Sequence, residues 1–288
     1  MKKILLNLAY LTLGSLATTL APTATGATID ANFSDGNSTT LVDAYTGIAG
    51  DGWLSSWSFG TNAPADTSFT NSVINTSQLN SGGNYLSYDM SYTGGSTSQG
   101  MVVRHFDSAT VSTVEPIRYT FDYRIDTALT NTTQRYSIYN RIDGTATGTD
   151  SSLTWAIQAV YDGSSGMTWY LWDGNGAGGV NSIFDTGFSA VEGTTYSMTV
   201  DVDPASKSWA VSITDGTNTY TSDSIGFRAN TTTDGSYLHF GTLTTANTSL
   251  GYSLDNLQIS AIPEPALSTA LLGAVAMLMI VRKRRRDA

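Results

Sequence analysis

The middle of the chain is built on alternation. Ile117, Tyr119, Phe121, Tyr123 and Ile125 are apolar or aromatic, and Arg118, Thr120, Asp122 and Arg124 stand between them. A period of two over nine residues predicts a half-buried β-strand, because successive side chains of a strand point to opposite faces. The same period runs through Leu86, Tyr88, Met90 and Tyr92. It runs through Tyr136, Ile138 and Ile142 with Asn140 as the exception, through Leu153 to Tyr161, and through Met167, Trp169 and Leu171. Tyr196, Met198, Val200 and Val202 lead into Asp203-Pro204-Ala205-Ser206, and Trp209, Val211 and Ile213 return. Pro204 supplies the preset φ of a turn, so this stretch predicts a hairpin. Asp143-Gly144, Asp162-Gly163, Asp173-Gly174 and Asp234-Gly235 predict further turns. No helical period appears between residues 27 and 262. The expected fold is all-β, two antiparallel sheets packed as a sandwich.

Both ends break the pattern. Lys2 and Lys3 precede an apolar stretch from Ile4 to Leu20, and Ala24-Thr25-Gly26 offers small residues before a cut. This predicts a signal peptide over 1–26. At the other end Pro263-Glu264-Pro265 precedes an uncharged run from Ala266 to Val281, then Arg282-Lys283-Arg284-Arg285-Arg286. The prolines fix φ and hold the motif extended. The 16-residue run spans about 24 Å as a helix. That is short of the ~30 Å hydrocarbon core, a gap that snorkelling Arg282 and Lys283 and local thinning can close. The basic cluster predicts a cytoplasmic stop, with the middle of the chain across the membrane. The expected division is a signal peptide at 1–26, a β-sandwich at 27–260 and a sorting segment with transmembrane helix and basic tail at 261–288.

Removing the ends changes the charge. Residues 27–262 carry 22 acidic and 7 basic side chains, a formal charge of −15 against −10 for the whole chain. Such a body disfavours nucleic acid, whose binding rests on neutralising phosphates. Abundant Ser, Thr, Asn, Gly and Asp suit strands and turns better than helices. The absence of cysteine excludes disulfides, thiol nucleophiles and Cys-based metal sites.

Ile262-Pro263-Glu264-Pro265, the apolar run and the terminal basic cluster resemble the PEP-CTERM sorting signal of Gram-negative bacteria. The resemblance implies an exported protein, membrane-anchored until an exosortase-type enzyme processes it, then placed at the cell surface or in the extracellular polysaccharide layer. A second resemblance is spread over the body. Tyr196 to Asp215 is similar to the central hairpin of concanavalin A-like lectin/glucanase jelly rolls. Ser253 to Ile259 is similar to their closing strand, and Ile29 to Phe33 to their opening strand. This implies that the first and last strands pair in one sheet.

Candidate chemistry follows from what is present. Glycoside hydrolysis commonly needs two flanking carboxyl groups. The body holds only Glu115 and Glu192, 77 residues apart. Asp201 and Asp203 could substitute, but beside a turn they read as solvated edge residues. His105 and His239 lie in separate strand-like segments, and no Gly-x-Ser-x-Gly elbow is present. The expectation is a non-catalytic protein, structural or carbohydrate-binding in the extracellular polysaccharide matrix, with a polysaccharide-active hydrolase or lyase on a jelly-roll scaffold as the alternative. Sugars are held by aromatic faces and fixed polar groups. If Trp169 is core, Tyr170 and Trp172 face the other way, and Tyr139, Arg141 and Gln158 are out-of-core positions on neighbouring strands. These five are the candidate sugar contacts, with extracellular polysaccharide as the partner. No cofactor is expected beyond a structural calcium. The resemblance to carbohydrate-binding modules points for that ion to Asp255 on the closing strand and Asp30 on the opening one. The competing reading is that Asp255 caps a phase shift between Leu254 and Leu257. Trp53 and Trp57 are expected to plug one end of the sandwich.

Overall fold

The computed structural model describes residues 27–34, 52–74, 78–79, 83–144, 150–163 and 166–263. The signal peptide, Glu264, Pro265, the apolar run and the stop residues Arg282, Lys283, Arg284, Arg285 and Arg286 lie outside the described residues. Strands are numbered in chain order. The first sheet runs β13 (Thr219–Thr221), β12 (Ser208–Thr214), β11 (Thr195–Asp203), β6 (Ile117–Ile125), β16 (Thr248–Ala261), β4 (Tyr85–Tyr92) and β3 (Thr67–Ile74). β1 (Thr28–Ala31) pairs with β16, and β14 (Ile225–Gly226) with β12. The second sheet runs β10 (Val180–Ala190), β9 (Met167–Gly174), β8 (Leu153–Tyr161), β7 (Arg135–Arg141), β15 (Tyr237–Thr244), β5 (Ser98–His105) and β2 (Ser58–Asn62). Every pairing is antiparallel.

The alternation produces the core directly. Ile117, Tyr119, Phe121, Tyr123 and Ile125 of β6 are all buried, while Arg118 and its alternates are not. The predicted hairpin is β11–β12, with Val200 opposite Val211 and the Ala205 N–H donating to Asp203 Oδ1. Tyr88, Tyr252 and Tyr123 stack across three neighbouring strands, at 4.6 and 5.1 Å between centroids. Trp169 from the opposite sheet meets Tyr123 edge-on. Offset and edge contacts of this kind are the favoured aromatic geometries.

β1 and β16 pair as the resemblance implied, with Thr28 opposite Ser260. The Ile262 N–H donates to Pro116 O at the start of β6. Both ends of the sandwich chain therefore leave at one pole, called here the exit pole. Trp53 and Trp57 close this end around Arg104, whose guanidinium lies 4.7 and 5.6 Å from their ring centroids. The phase shift in β16 is a bulge between Asp255 and Gln258, with Asn256 at a φ of 51°.

Candidate functional site on the outer face of the second sheet

The register of the second sheet places its outward side chains in rows. Tyr170 on β9 lies beside Gln158 on β8, which lies beside Ser137 on β7. The row continues through Gly241 and Met101 to Gly60. Asp185 on β10 closes it at the other edge. The next row toward the exit pole contains Trp172, Ala156, Tyr139, His239 and Val103. Arg141 and Tyr237 pair in the row after that. All five candidate contacts thus share one sheet face, because Trp169 and Leu171, which alternate with the β9 pair, are core residues.

Their exposure separates them. Gln158, Tyr170 and Trp172 are half-buried, whereas Tyr139 and Arg141 are 8% and 3% exposed. Gln158 Nε2 donates to Ser137 Oγ, and the Tyr170 hydroxyl reaches Asp185 Oδ2 at 3.4 Å. Partial desolvation and the Asp185 carboxylate both raise the Tyr170 phenol pKa. Arg228 stacks its guanidinium over Trp172 at 4.2 Å. This half of the face offers aromatic rings, an amide and a carboxylate within neighbouring positions. A cavity of about 300 Å³, lined partly by Arg135, Val160 and Leu243, opens at the end away from the exit pole.

The other half is covered. Gly144, three residues past β7, lies so close to Tyr237 that a Cβ would come within 2.7 Å of the ring. Arg141 pairs with Asp143 at 3.1 Å and donates to Ser152 Oγ. His239 is fully buried, stacked on Tyr139 at 4.8 Å, with Nδ1 against Met101 Sδ. Burial, reinforced by Arg141, pushes the His239 pKa down to about 3. His105 stacks on Tyr237 at 3.9 Å, and partial burial lowers its pKa too. The alternation alone would place both histidines on this face, since their neighbours Val102, Leu238 and Phe240 are core. Their stacking partners come from register, which no local pattern announces.

One predicted turn residue has another role. Asp234 is buried beneath the same strands, on the core side. It accepts from the Tyr119 hydroxyl at 2.5 Å, from Asn140 Nδ2 and from the Gly235 N–H. Burial pushes its pKa up to about 6, against the pull of those donors. Gly235 sits directly on the Arg141 carbonyl, where a Cβ would collide.

The carboxylates weighed for catalysis are dispersed. Glu115 precedes β6 at the exit pole, and Glu192 neighbours Gly193, whose N–H donates to Ile125 O at the other end of β6. Those strand ends are roughly 27 Å apart at ~3.4 Å per residue. Asp201 is engaged bidentately by Arg118 at 2.6 and 2.7 Å, and Asp203 holds the hairpin turn. For calcium, Asp255 is buried and accepts from the Asn256 N–H, while Asp30 pairs opposite Gln258 beyond the bulge. Among the described residues no three His, Cys, Asp or Glu side chains gather closely enough to hold a metal ion. Asp255 engages the backbone at the bulge, on the strand adjacent to Asp30.

No protein-family model matches the chain, and no curated protein matches it significantly. Solved structures are similar in fold. The catalytic domain of a glycoside hydrolase family 131 protein from Coprinopsis cinerea aligns at 12% identity with a TM-score of 0.49, covering 82% of this chain and 94% of that one. A legume lectin-like domain from Entamoeba histolytica aligns at 8% identity and 0.42, covering 69% and 91%. The Ca2+/mannose-bound exoplasmic/lumenal domain of VIP36 aligns at 11% and 0.43, covering 78% and 91%.

Proposed function

We propose that this chain is an exported, surface-sorted, non-catalytic β-sandwich protein that binds extracellular polysaccharide across the outer face of its second sheet. The observation that carries the reading is the half-buried group of Tyr170 and Trp172 on β9 beside Gln158 on β8, with Arg228 stacked on one face of Trp172. Flat aromatic faces stack on pyranose rings, and an amide fixed by a neighbouring hydroxyl orients sugar hydroxyls. The tail after Ile262 supports sorting through a membrane stage and an exosortase-type enzyme. The roughly 27 Å between the two ends of β6, near which Glu115 and Glu192 lie, supports binding without turnover, since glycosidase carboxyl pairs stand about 5–10 Å apart.

The test is affinity electrophoresis of the full chain through gels containing neutral or acidic bacterial exopolysaccharides, with a parallel reducing-end assay. Retardation without new reducing ends is expected. Tyr170→Ala combined with Trp172→Ala should weaken retention about ten-fold or more, at ~1 kcal/mol per lost stack. Unchanged retention in that variant removes this face as the binding site. Sugar release that persists in purified protein overturns the non-catalytic reading.

A further inference from the structure

We infer that the exit pole rests on the lipid surface, with Leu54, Val114, Ile142 and Val180 inserted among the headgroups; this rests on the reading of the tail as a membrane segment. Six large apolar side chains are exposed among the described residues: these four, Ile183 and Val191. The four belong to different connections, but each sits at the same end of the sandwich. The Leu54 N–H donates to the carbonyl of His105, the last residue of β5. Val114 lies two residues before Pro116, whose carbonyl holds Ile262. Ile142 directly follows β7. Val180 pairs with Gly174, the last residue of β9. Tyr237 pairs with both His105 and Arg141, and Ala261 with Ile117, which puts these strand ends at one pole.

The chain itself names the occupant. After the Ile262 anchor at this pole, Pro263-Glu264-Pro265 leads to the uncharged run beginning at Ala266. Four residue steps reach at most about 14 Å when fully extended. A body tethered that closely cannot turn its exit pole far from the bilayer. Exposed Glu115 and half-buried Asp107, Asp143, Asp203 and Lys207 flank the pole, so its charge is mostly acidic, anionic lipid gains nothing there, and apolar insertion into neutral lipid is the expected contact. Val191 is equally apolar but stands at the opposite pole, beside Gly193 and the end of β6. It is therefore the internal control.

The native chain has no cysteine, so single labels are unambiguous. Full-length Val114→Cys, Ile142→Cys, Val180→Cys and Val191→Cys would carry an environment-sensitive fluorophore in phosphatidylcholine vesicles containing doxyl-labelled lipid. Flotation with the vesicles tests the membrane reading. Loss of most of the emission at positions 114, 142 and 180, with none at 191, is the expected result. Flotation with all four labels unquenched overturns the membrane-facing pole and leaves the anchor intact. Failure to float overturns the anchor and this orientation together. Protection of the three labels by self-association, without lipid quenching, assigns the pole to a second copy and overturns the proposal.

Discussion

Two successive residues of β7 serve opposite sides of the second sheet. Asn140 points into the core and donates to the Asp234 carboxylate, beside the Tyr119 hydroxyl. Arg141 points outward, next to His239 and Asp143. Each side buries one titratable group of the strand pair β7–β15 region, but with contrary consequences. Burial raises Asp234 to about 6 and lowers His239 to about 3, because in each case it disfavours the charged form. The two sites therefore pull stability in opposite directions with pH.

The largest expected effect belongs to His239. Unfolded, a histidine takes up a proton near pH 6.5, while the folded ring resists until about pH 3. Between those values the unfolded state binds more protons, so folding stability falls as pH falls, at about 1.4 kcal/mol per unit. His239→Gln removes this term. Relative to the wild type, the variant should gain stability steadily below pH 6.5, by roughly 3 kcal/mol at pH 4.5. Paired urea melts across pH check it, and a constant difference would show that the ring is not buried neutral.

Asp234 gives the reverse slope over a narrower window. Its folded pKa of about 6 lies above the unfolded value of 3.8. The favourable term is therefore complete below pH 3.8 and lost as pH rises through 6, about 3 kcal/mol in all. Asp234→Asn should gain on the wild type as pH rises through that window. The double variant lacks both terms, and because they oppose each other in the wild type its difference from the wild type should stay flat between pH 3.8 and 6. A smaller but sharper probe is Asn140→Ala, which takes a donor from the buried carboxylate and opens a small cavity. A loss of about 2–3 kcal/mol at pH 7 is expected, shrinking toward pH 4 as Asp234 protonates.

These sites also mark where the sequence stops being readable. The first sheet was legible because one face of β6, β11 and β12 meets solvent, which forces alternation. β7 is buried on both faces from Tyr136 to Arg141, so alternation there carries less information. Asn140, the exception in its pattern, is an exception because its amide is committed to Asp234. Asp234-Gly235 reads locally as a turn, and its Gly is indeed forced by close approach to β7, but only tertiary packing buries the carboxylate. β10 showed no clear period because it is an exposed edge strand with a bulge between Asp185 and Ser189 around Gly187, at a φ of 68°. The candidate site was half legible. Alternation placed the five residues on one face, while the contacts that bury Tyr139 against His239 and Arg141 against Asp143 and Ser152 have no local signature.

The smallest expected effects contrast the same chemistry on the two sheets. Arg118–Asp201 lies on the open outer face of the first sheet, with side chains 48% and 39% exposed. Despite its bidentate geometry, Asp201→Ala should cost under about 1 kcal/mol, and less still in 0.5 M salt, because water and ions screen the pair. Arg141–Asp143 lies on the covered face, with the Arg141 side chain 3% exposed and that of Asp143 42%. Asp143→Ala leaves that charge buried with Ser152 still accepting from it, so a cost of roughly 1–2 kcal/mol that salt barely changes is expected. The loss of the anion should also lower the His239 pKa further, since Asp143 now offsets Arg141 there. Equal, salt-sensitive costs for the two alanine variants would mean that water reaches Arg141. Tyr139 and Arg141 would then rejoin Gln158, Tyr170 and Trp172 as accessible members of the face.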